Sequence, residues 1–118
     1  MLNDISKESR KVLNVLLKEY KERRQQGQPK ADAIRFTDSV KIHDDYFPDW
    51  SYSSIEYVCR ELSRQEYLKC SSYNNISTII FLTDKAILAY ENDVPTSFRT
   101  FIKHIGDVIK TVLSVLKL

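Results

Sequence analysis

The chain has 118 residues, with 42% hydrophobic and 29% charged residues and a formal net charge of +2 at pH 7. These values are typical of one globular domain with a modest core, and two glycines and three prolines argue against long disordered linkers. Two cysteines and no leader segment after Met1 argue against a disulfide scaffold and predict a cytoplasmic protein.

Charge is distributed unevenly along the chain. Residues 1–33 carry eight basic and five acidic side chains, for a net charge of +3, whereas residues 34–92 carry six basic and nine acidic ones, for −3. Residues 93–118 carry four basic and two acidic side chains, for +2. Positive charge therefore lies toward both ends of the sequence, while its middle is acidic.

A long first helix is predicted over residues 4–26, because apolar residues recur at three- and four-residue spacing. Asp4 or Ser6 would cap its start, and Gly27 followed by Pro29 would end it. Four cations near its end are candidate phosphate contacts: Lys18, Lys21, Arg23 and Arg24. The alternative interpretation is a solvated helix end, where the helix dipole favours cations.

A strand and two helices are predicted over residues 34–65. Residues 34–36 are strand-like, Thr37 or Asp38 can cap a brief helix, and Pro48 places a turn before the next helix, over residues 49–65. An inward stripe of that helix follows helical spacing: Ile55, Val58, Cys59 and Leu62. The outward face would then contain Tyr52, Ser53, Ser54, Glu56, Tyr57, Arg60, Glu61 and Arg64.

A hairpin and a further helix complete this region. Residues 67–72 and 77–82 are strand-like, and Asn74-Asn75 tolerates the positive φ of a hairpin turn. Lys69 is the only cation of this hairpin, so the hairpin is expected to be a poor phosphate contact, although Lys69 belongs to the candidate nucleic-acid-binding residues. Thr83 would cap a helix over residues 84–91 that packs on the core. The order of elements predicts a helix-rich α+β domain over residues 1–94, a winged helix-turn-helix with a two- or three-stranded sheet.

Several motifs occur in the order known from one protein family: Ile55, Val58 and Leu62, then Glu66-Tyr67-Leu68, a strand pair, Leu82-Thr83-Asp84-Lys85-Ala86, and Tyr90-Glu91-Asn92. Over roughly residues 50–100 this order resembles the YjcQ-type small winged-helix proteins of Gram-positive bacteria and their phages. That family usually has glycine where this chain has Glu66 and Ala86, so both positions lack the residue that adopts positive φ at low cost. The resemblance implies a winged helix and a nucleic-acid or regulatory role, without catalytic residues.

Residues 95–118 are predicted to add a C-terminal amphipathic helix. Its apolar residues repeat with a seven-residue period and form a candidate dimer interface: Phe98, Phe101, Ile102, Ile105, Val108, Ile109, Val112, Val115 and Leu116. Because nine large apolar side chains are too many to leave in water, this face is expected to pack on the first helix, on its copy in a homodimer, or on a membrane surface. Interspersed charges exclude a transmembrane span, and few cations with no tryptophan argue against a membrane surface.

The sequence contains no constellation that predicts catalysis, a metal site or a cofactor. His43 beside Asp44 and Asp45 lacks the alternating carboxylates and the glycine of a cation-binding loop. Cys59 and Cys70 lie in apolar patterns typical of core residues rather than nucleophiles. The aromatic residues of the segment 46–52 are interpreted as core packing, with base stacking as the alternative.

The hypothesis from the sequence is a non-enzymatic, transcription-regulatory protein that binds double-stranded DNA. Its candidate contacts are the four cations of the first helix together with Tyr52, Ser53, Ser54, Arg60, Arg64 and Lys69. The alternative is a protein interaction module without DNA binding, which the acidic middle of the chain favours. Convergence of Arg60 and Arg64 with the basic end of the first helix would favour DNA, and separation would favour the alternative. No small-molecule ligand is implied.

Overall fold

The computed structural model describes residues 4–93 of the chain. Its elements, in chain order, are α1 Lys7–Gln25, α2 Lys30–Ala33, β1 Arg35–Asp38, α3 Ser39–Tyr46, α4 Tyr52–Arg64, β2 Leu68–Tyr73, β3 Ile76–Leu82 and α5 Asp84–Asp93. The strands form one antiparallel sheet in the order β1-β3-β2. The predicted helix-rich α+β class is confirmed. The predicted C-terminal helix and its candidate dimer interface lie outside the described residues.

Helix α1 matches the predicted first helix closely. Of the two predicted caps, Ser6 is the one used: its Oγ accepts a hydrogen bond from the Ser9 N–H at 3.2 Å. At the other end Gly27 adopts φ 94°, and the Gln28 N–H donates to the Arg23 carbonyl at 3.0 Å. This is the Schellman arrangement, in which a left-handed residue ends the helix and its last carbonyls keep hydrogen-bond partners.

Helix α4 ends in the same way but without glycine. Glu66 adopts φ 66°, its N–H donates to the Ser63 carbonyl at 3.1 Å, and the Tyr67 N–H donates to the Leu62 carbonyl at 2.9 Å. Tyr67 and Leu62 are both buried, which adds the apolar contact that accompanies this motif. Glu66 therefore takes the conformation for which the resembling family uses glycine, and it does so at the cost of left-handed backbone strain.

The hairpin of β2 and β3 is closed by two residues, as predicted. Asn74 and Asn75 adopt φ 51° and 64°, the conformation that a two-residue hairpin turn requires. Pairing is interrupted once, because two steps along β2, from Lys69 to Ser71, correspond to three steps along β3, from Phe81 to Thr78. Two residues of β3 therefore stand opposite one residue of β2, and one of the two is Ile79, an exposed β-branched residue with φ 49°. A bulge with a strained residue therefore fixes the register of this hairpin.

The core lies where α1, α4, β3 and α5 meet. Its largest fully buried side chains include Leu13, Leu16, Leu17, Ile42, Ile55, Leu62, Tyr67, Leu68 and Ile80. The predicted cap of α5 is confirmed, because Thr83 Oγ1 accepts from the Ala86 N–H at 3.2 Å. Ala86, Ile87 and Tyr90 pack on the core as predicted. Helix α4 packs against α1, α3, β2 and β3, with one face against the core and another in solvent.

The left-handed conformation of Glu66 generates a stability prediction. Glu66→Gly should raise the free energy of unfolding by about 0.5–1 kcal/mol, because glycine removes a strain of about 1–2 kcal/mol but gains conformational freedom in the unfolded chain. Urea unfolding of the full chain measures this change. Glu22→Gly, at an exposed site within α1, is the matched control and should lower stability by about 1 kcal/mol. Destabilisation by Glu66→Gly would contradict the prediction.

Candidate functional site: the surface of α4 and the hairpin

Helix α4 has a buried stripe and an exposed face, and the stripe is the predicted one. Ile55, Val58, Cys59 and Leu62 are each 2% exposed or less. The helix is capped by Ser51, whose Oγ accepts from the Ser54 N–H at 3.2 Å. It therefore starts inside the predicted span of residues 49–65. One face of the helix is exposed along its whole length: Ser53, Tyr57, Arg60 and Arg64. These four residues are called the outer face.

Glu56 is a correction to the predicted outward face, because only 8% of this residue is exposed. Its carboxylate accepts hydrogen bonds from Ser77 N–H at 2.6 Å, Ser77 Oγ at 2.7 Å and Ser39 Oγ at 3.1 Å. Ser39 begins α3 and Ser77 lies in β3. One buried carboxylate therefore joins α3, α4 and the hairpin, and its partners compensate for its removal from water.

Two other residues of the predicted outward face also serve the fold. Tyr52 is half-buried, and its hydroxyl shares a hydrogen bond of 3.0 Å with Ser39 Oγ. Glu61 accepts from the Ser6 N–H at 2.9 Å and from Ser9 Oγ at 2.8 Å, and so ties α4 to the start of α1. Burial raises the pKa of Glu61, but the hydrogen bonds from Ser6 and Ser9 outweigh it and hold that pKa below its ordinary value.

Arg60 connects the outer face of α4 to the tip of the hairpin. Its Nη2 donates to the Asn75 carbonyl at 2.7 Å, and its Nε lies 3.6 Å from Glu56 Oε2. Half of the side chain remains exposed. Arg60 is therefore held in place by the fold and still presents part of its guanidinium to solvent.

A groove separates α4 from the hairpin next to Arg60. Its volume is about 320 Å³, and its lining is Arg60, Ser63, Arg64, Cys70, Ser71, Ser72 and Ser77. The lining residues include two arginines, four serines and no acidic residue. The side chains of Arg64, Ser71 and Ser72 are exposed and make no hydrogen bond or ion pair of 4.0 Å or less with residues 4–93. This groove therefore offers free donors beside positive charge.

Neither cysteine is suited to nucleophilic chemistry. Cys59 is fully buried, and burial raises the pKa of its thiol far above the ordinary value. Cys70 lines the groove, and burial raises the pKa of its thiol to about 11, although a hydrogen bond with Ser63 opposes this shift. Because the thiolate is the reactive form, both thiols are unreactive near neutral pH. The sequence prediction that Cys59 packs in the core is confirmed.

The basic end of α1 does not join the surface of α4 and the hairpin. Arg23 donates to the carbonyls of Arg35 at 2.7 Å and Ala33 at 3.2 Å, and its guanidinium lies 4.5 Å from the centre of the Phe36 ring. Arg35 pairs with Phe81, near the end of β3, whereas Arg60 contacts the hairpin turn before the start of β3. At about 3.3 Å per residue, these contacts are about 20 Å apart along the strand.

The remaining cations of the sequence-predicted set are exposed but scattered. Arg24 donates to the Gln28 carbonyl at 2.9 Å, and Lys18 is exposed on α1. Lys21 is half-exposed on the same helix, and Lys69 is exposed on β2. The basic end of α1 is therefore separated from Arg60 and Arg64. Arg23 serves mainly to attach α1 to β1. Arg64 lies beside Arg60 in the groove, whereas Lys69 pairs with Phe81, as Arg35 does, and so lies at the other end of the hairpin.

The aromatic residues between α3 and α4 pack against the core, as predicted. The rings of Phe47 and Trp50 have centroids 4.8 Å apart, and those of Phe36 and Tyr46 are 6.4 Å apart. Phe47 is buried and Trp50 is half-buried. This packing sets the turn that positions the start of α4.

Several groove and surface residues were absent from the predicted contact set. Helical spacing alone places Tyr57 with Ser53 and Arg60, and Tyr57 is 62% exposed, so this residue could have been selected from the sequence. Ser71 and Ser72 could not, because neighbouring residues of a strand normally point to opposite faces. Ser72 pairs with Ser77, whose hydroxyl contacts Glu56, so its side chain lies on the face toward α4, whereas Ser71 pairs with Thr78 on the other face.

Within residues 4–93, no group of three or more histidine, cysteine or acidic side chains is arranged to hold a metal ion. None of the described helices is both long and apolar enough to cross a membrane. Compared with known family models, with curated proteins and with solved structures, the chain has no match.

The Glu56 network generates a second stability prediction. Glu56→Ala should lower the free energy of unfolding by about 2–4 kcal/mol, because it leaves the buried Ser77 N–H and the Ser39 hydroxyl without their acceptor. Urea unfolding measures the change, with the exposed Glu22→Ala as control, for which a change within about 0.5 kcal/mol is expected. Equal stability of the two variants would show that the network contributes little.

His43 generates a prediction of pH dependence. Its Nδ1 lies 2.8 Å from Asp44 Oδ1 and its Nε2 lies 2.7 Å from the Trp50 carbonyl, so both ring nitrogens face acceptors and the protonated ring satisfies both. The Asp44 carboxylate, followed by the Trp50 carbonyl, raises the pKa of His43 above 6.5. Its stabilising contribution is therefore complete below pH 6.5 and is lost as pH rises through the higher folded-state pKa.

Titration of the imidazole by NMR, with the His43 signal assigned by its loss in His43→Gln, measures this pKa directly. Asp44→Asn should bring it back toward the ordinary value, because the amide carries no charge. Denaturation at acidic and alkaline pH should show a smaller pH-dependent loss of stability in His43→Gln than in the native chain. A His43 pKa at or below its ordinary value would refute the prediction.

Proposed function

We propose that this protein is a winged-helix scaffold, in which β2 and β3 are the wing and α4 is the helix nearest to a bound nucleic acid. The order α1, β1, α3, α4, β2, β3 and the strand order β1-β3-β2 support this assignment. Helices α3 and α4 are joined by the short turn over residues 47–51, as in a helix-turn-helix unit.

The function that this geometry supports best is non-enzymatic binding of double-stranded DNA with little sequence preference, in a regulatory role. The observation that carries the proposal is the outer face of α4, which presents Ser53, Tyr57, Arg60 and Arg64 beside a hairpin tip to which Arg60 is attached. Arginine and hydroxyl groups contact phosphates well. The first half of α4 exposes no Arg, Lys, Asn or Gln, so base-specific contacts in the major groove are few.

The positions of the candidate contacts refine the proposal. Ser53, Ser54, Arg60 and Arg64 remain as contacts, and Tyr57 is added to them. Lys69 pairs with Phe81, at the end of the hairpin far from Arg60, and is no longer a direct contact. Tyr52 is half-buried and attaches the start of α4 to Ser39 of α3, so it is no longer a candidate DNA contact. The basic end of α1, at the far end of the sheet, contributes long-range attraction rather than direct contact.

Fluorescence anisotropy of a labelled short duplex with the full chain tests the proposal. Affinity should fall steeply between about 50 mM and 200 mM salt, because each neutralised phosphate releases bound counterions. The double variant Arg60→Gln, Arg64→Gln should lower the slope of log affinity against log salt by about two, whereas the control Lys18→Gln, Lys21→Gln should change it less. No salt-dependent binding at low ionic strength would refute the proposal.

A second candidate is a protein interaction module on the same scaffold. It is favoured by the separation of the two basic groups and by exposed large side chains, of which Tyr57 is 62%, Tyr73 71% and Ile79 50% exposed. A homodimer through the nine apolar residues of the segment 98–116 belongs to this candidate. Sedimentation of the full chain beside a chain ending at Val94 separates the possibilities, since equal monomeric masses would remove the dimer.

A further inference from the structure

We infer that the groove between α4 and the hairpin is a phosphate-binding site, with Arg64 and Ser72 as the direct ligands. Arg60 is a positioning residue that fixes the hairpin tip relative to α4. If the proposed function is right, the phosphate belongs to the backbone of a nucleic acid, and in that respect the inference rests on the proposed function. The groove could otherwise bind a free phosphate group by the same contacts, so the two sources are separated experimentally.

Unused donors are the first argument. The guanidinium of Arg64 carries five N–H groups and Ser72 carries a hydroxyl, yet neither side chain has a hydrogen-bond partner among residues 4–93. Arg64 belongs to the last turn of α4, and Ser72 belongs to β2, where it pairs with Ser77 on the sheet face toward α4, so the donors approach from both walls. A tetrahedral anion accepts hydrogen bonds from several directions at once, which suits two opposed walls.

Local charge is the second argument. No acidic residue lines the groove, although the region over residues 34–92 carries a net charge of −3. Two carboxylates of α4 act on the arginines of the lining. Glu56 accepts from Ser77 and Ser39 and faces the Arg60 guanidinium, and Glu61 accepts from Ser6 and Ser9 and interacts electrostatically with Arg64. Their charges are thereby partly compensated. Arg60 and Arg64 consequently give the groove a positive potential within an otherwise acidic region.

Rigidity is the third argument. The Arg60 contact to the Asn75 carbonyl at 2.7 Å and the Glu56 contacts to Ser77 hold both walls of the groove before any ligand arrives. A site held in advance loses less entropy on binding than one that must form. The volume of about 320 Å³ is at the small end for ligand pockets and the groove is open to solvent, so it suits a phosphate with its attached sugar.

The test uses the full chain and two probes, inorganic phosphate and a short DNA duplex. In amide NMR spectra, phosphate should shift the signals of Arg64 and Ser72, and Arg64→Gln should abolish these shifts. The control is Lys18→Gln, which changes a similar charge. Lys18 is nine residues after Ser9, hence about 14 Å along α1 and about half a turn away from the side that contacts α4.

With the duplex, Arg64→Gln should weaken binding about tenfold and equally for unrelated sequences, and should lower the salt slope by about one. Ser72→Ala should weaken binding without changing the salt slope, because it removes a hydrogen bond and no charge. Lys18→Gln should leave the phosphate shifts intact. Its effect on duplex affinity should be clearly smaller than that of Arg64→Gln.

The two probes separate failure of this inference from failure of the proposed function. Duplex binding that Arg64→Gln and Lys18→Gln weaken equally, together with no phosphate shifts at the groove, would overturn the groove site and leave DNA binding standing. Phosphate shifts that Arg64→Gln abolishes, together with no duplex binding, would support the groove as a site for free phosphate and refute the proposed function. Shifts spread over all cationic surfaces would overturn the site.

Discussion

The arrangement of α4 and the hairpin depends on one buried carboxylate. Glu56 accepts hydrogen bonds from Ser39 at the start of α3 and from both the N–H and the hydroxyl of Ser77 in β3. A buried carboxylate is tolerated only where such donors surround it, so the three elements that supply and hold it are constrained together. Apolar packing alone would allow these elements to slide. The directional hydrogen bonds of Glu56 select one relative position.

Helix α4 consequently has a core face and an outer face, with Glu56 between them on one side and Glu61 on the other. These two carboxylates lie about 140° apart around the helix, and each is directed toward polar partners in other elements. The negative charges of α4 are directed into the fold, while its two arginines remain at the surface. Net charge computed from the sequence therefore understates the positive character of the surface near Arg60 and Arg64.

Local rules predicted the elements well, and contacts between distant residues were beyond them. Helical spacing identified the buried stripe of α4, and the capping preferences of Ser6 and Thr83 located helix starts, because these effects involve residues within one turn. The same spacing predicted that Glu56 faces solvent, because helical periodicity carries no information about Ser77, which lies 21 residues later and provides two donors. Arg23 was likewise a candidate phosphate contact. Its carbonyl partners belong to the next two elements, so the pattern of α1 alone did not reveal them.

The bulge at Ile79 has a consequence for how the hairpin is paired. Since side chains alternate along a strand, a shift of β3 by one residue would bring Ile76 or Thr78 toward Glu56 in place of Ser77 and reverse every outward side chain. Ile79 keeps its positive φ at one position of β3. A hairpin with shifted pairing would therefore differ from the native hairpin in backbone shape as well as in the direction of its side chains. The strain at Ile79 thus reduces stability while protecting the chain from alternative hairpins during folding.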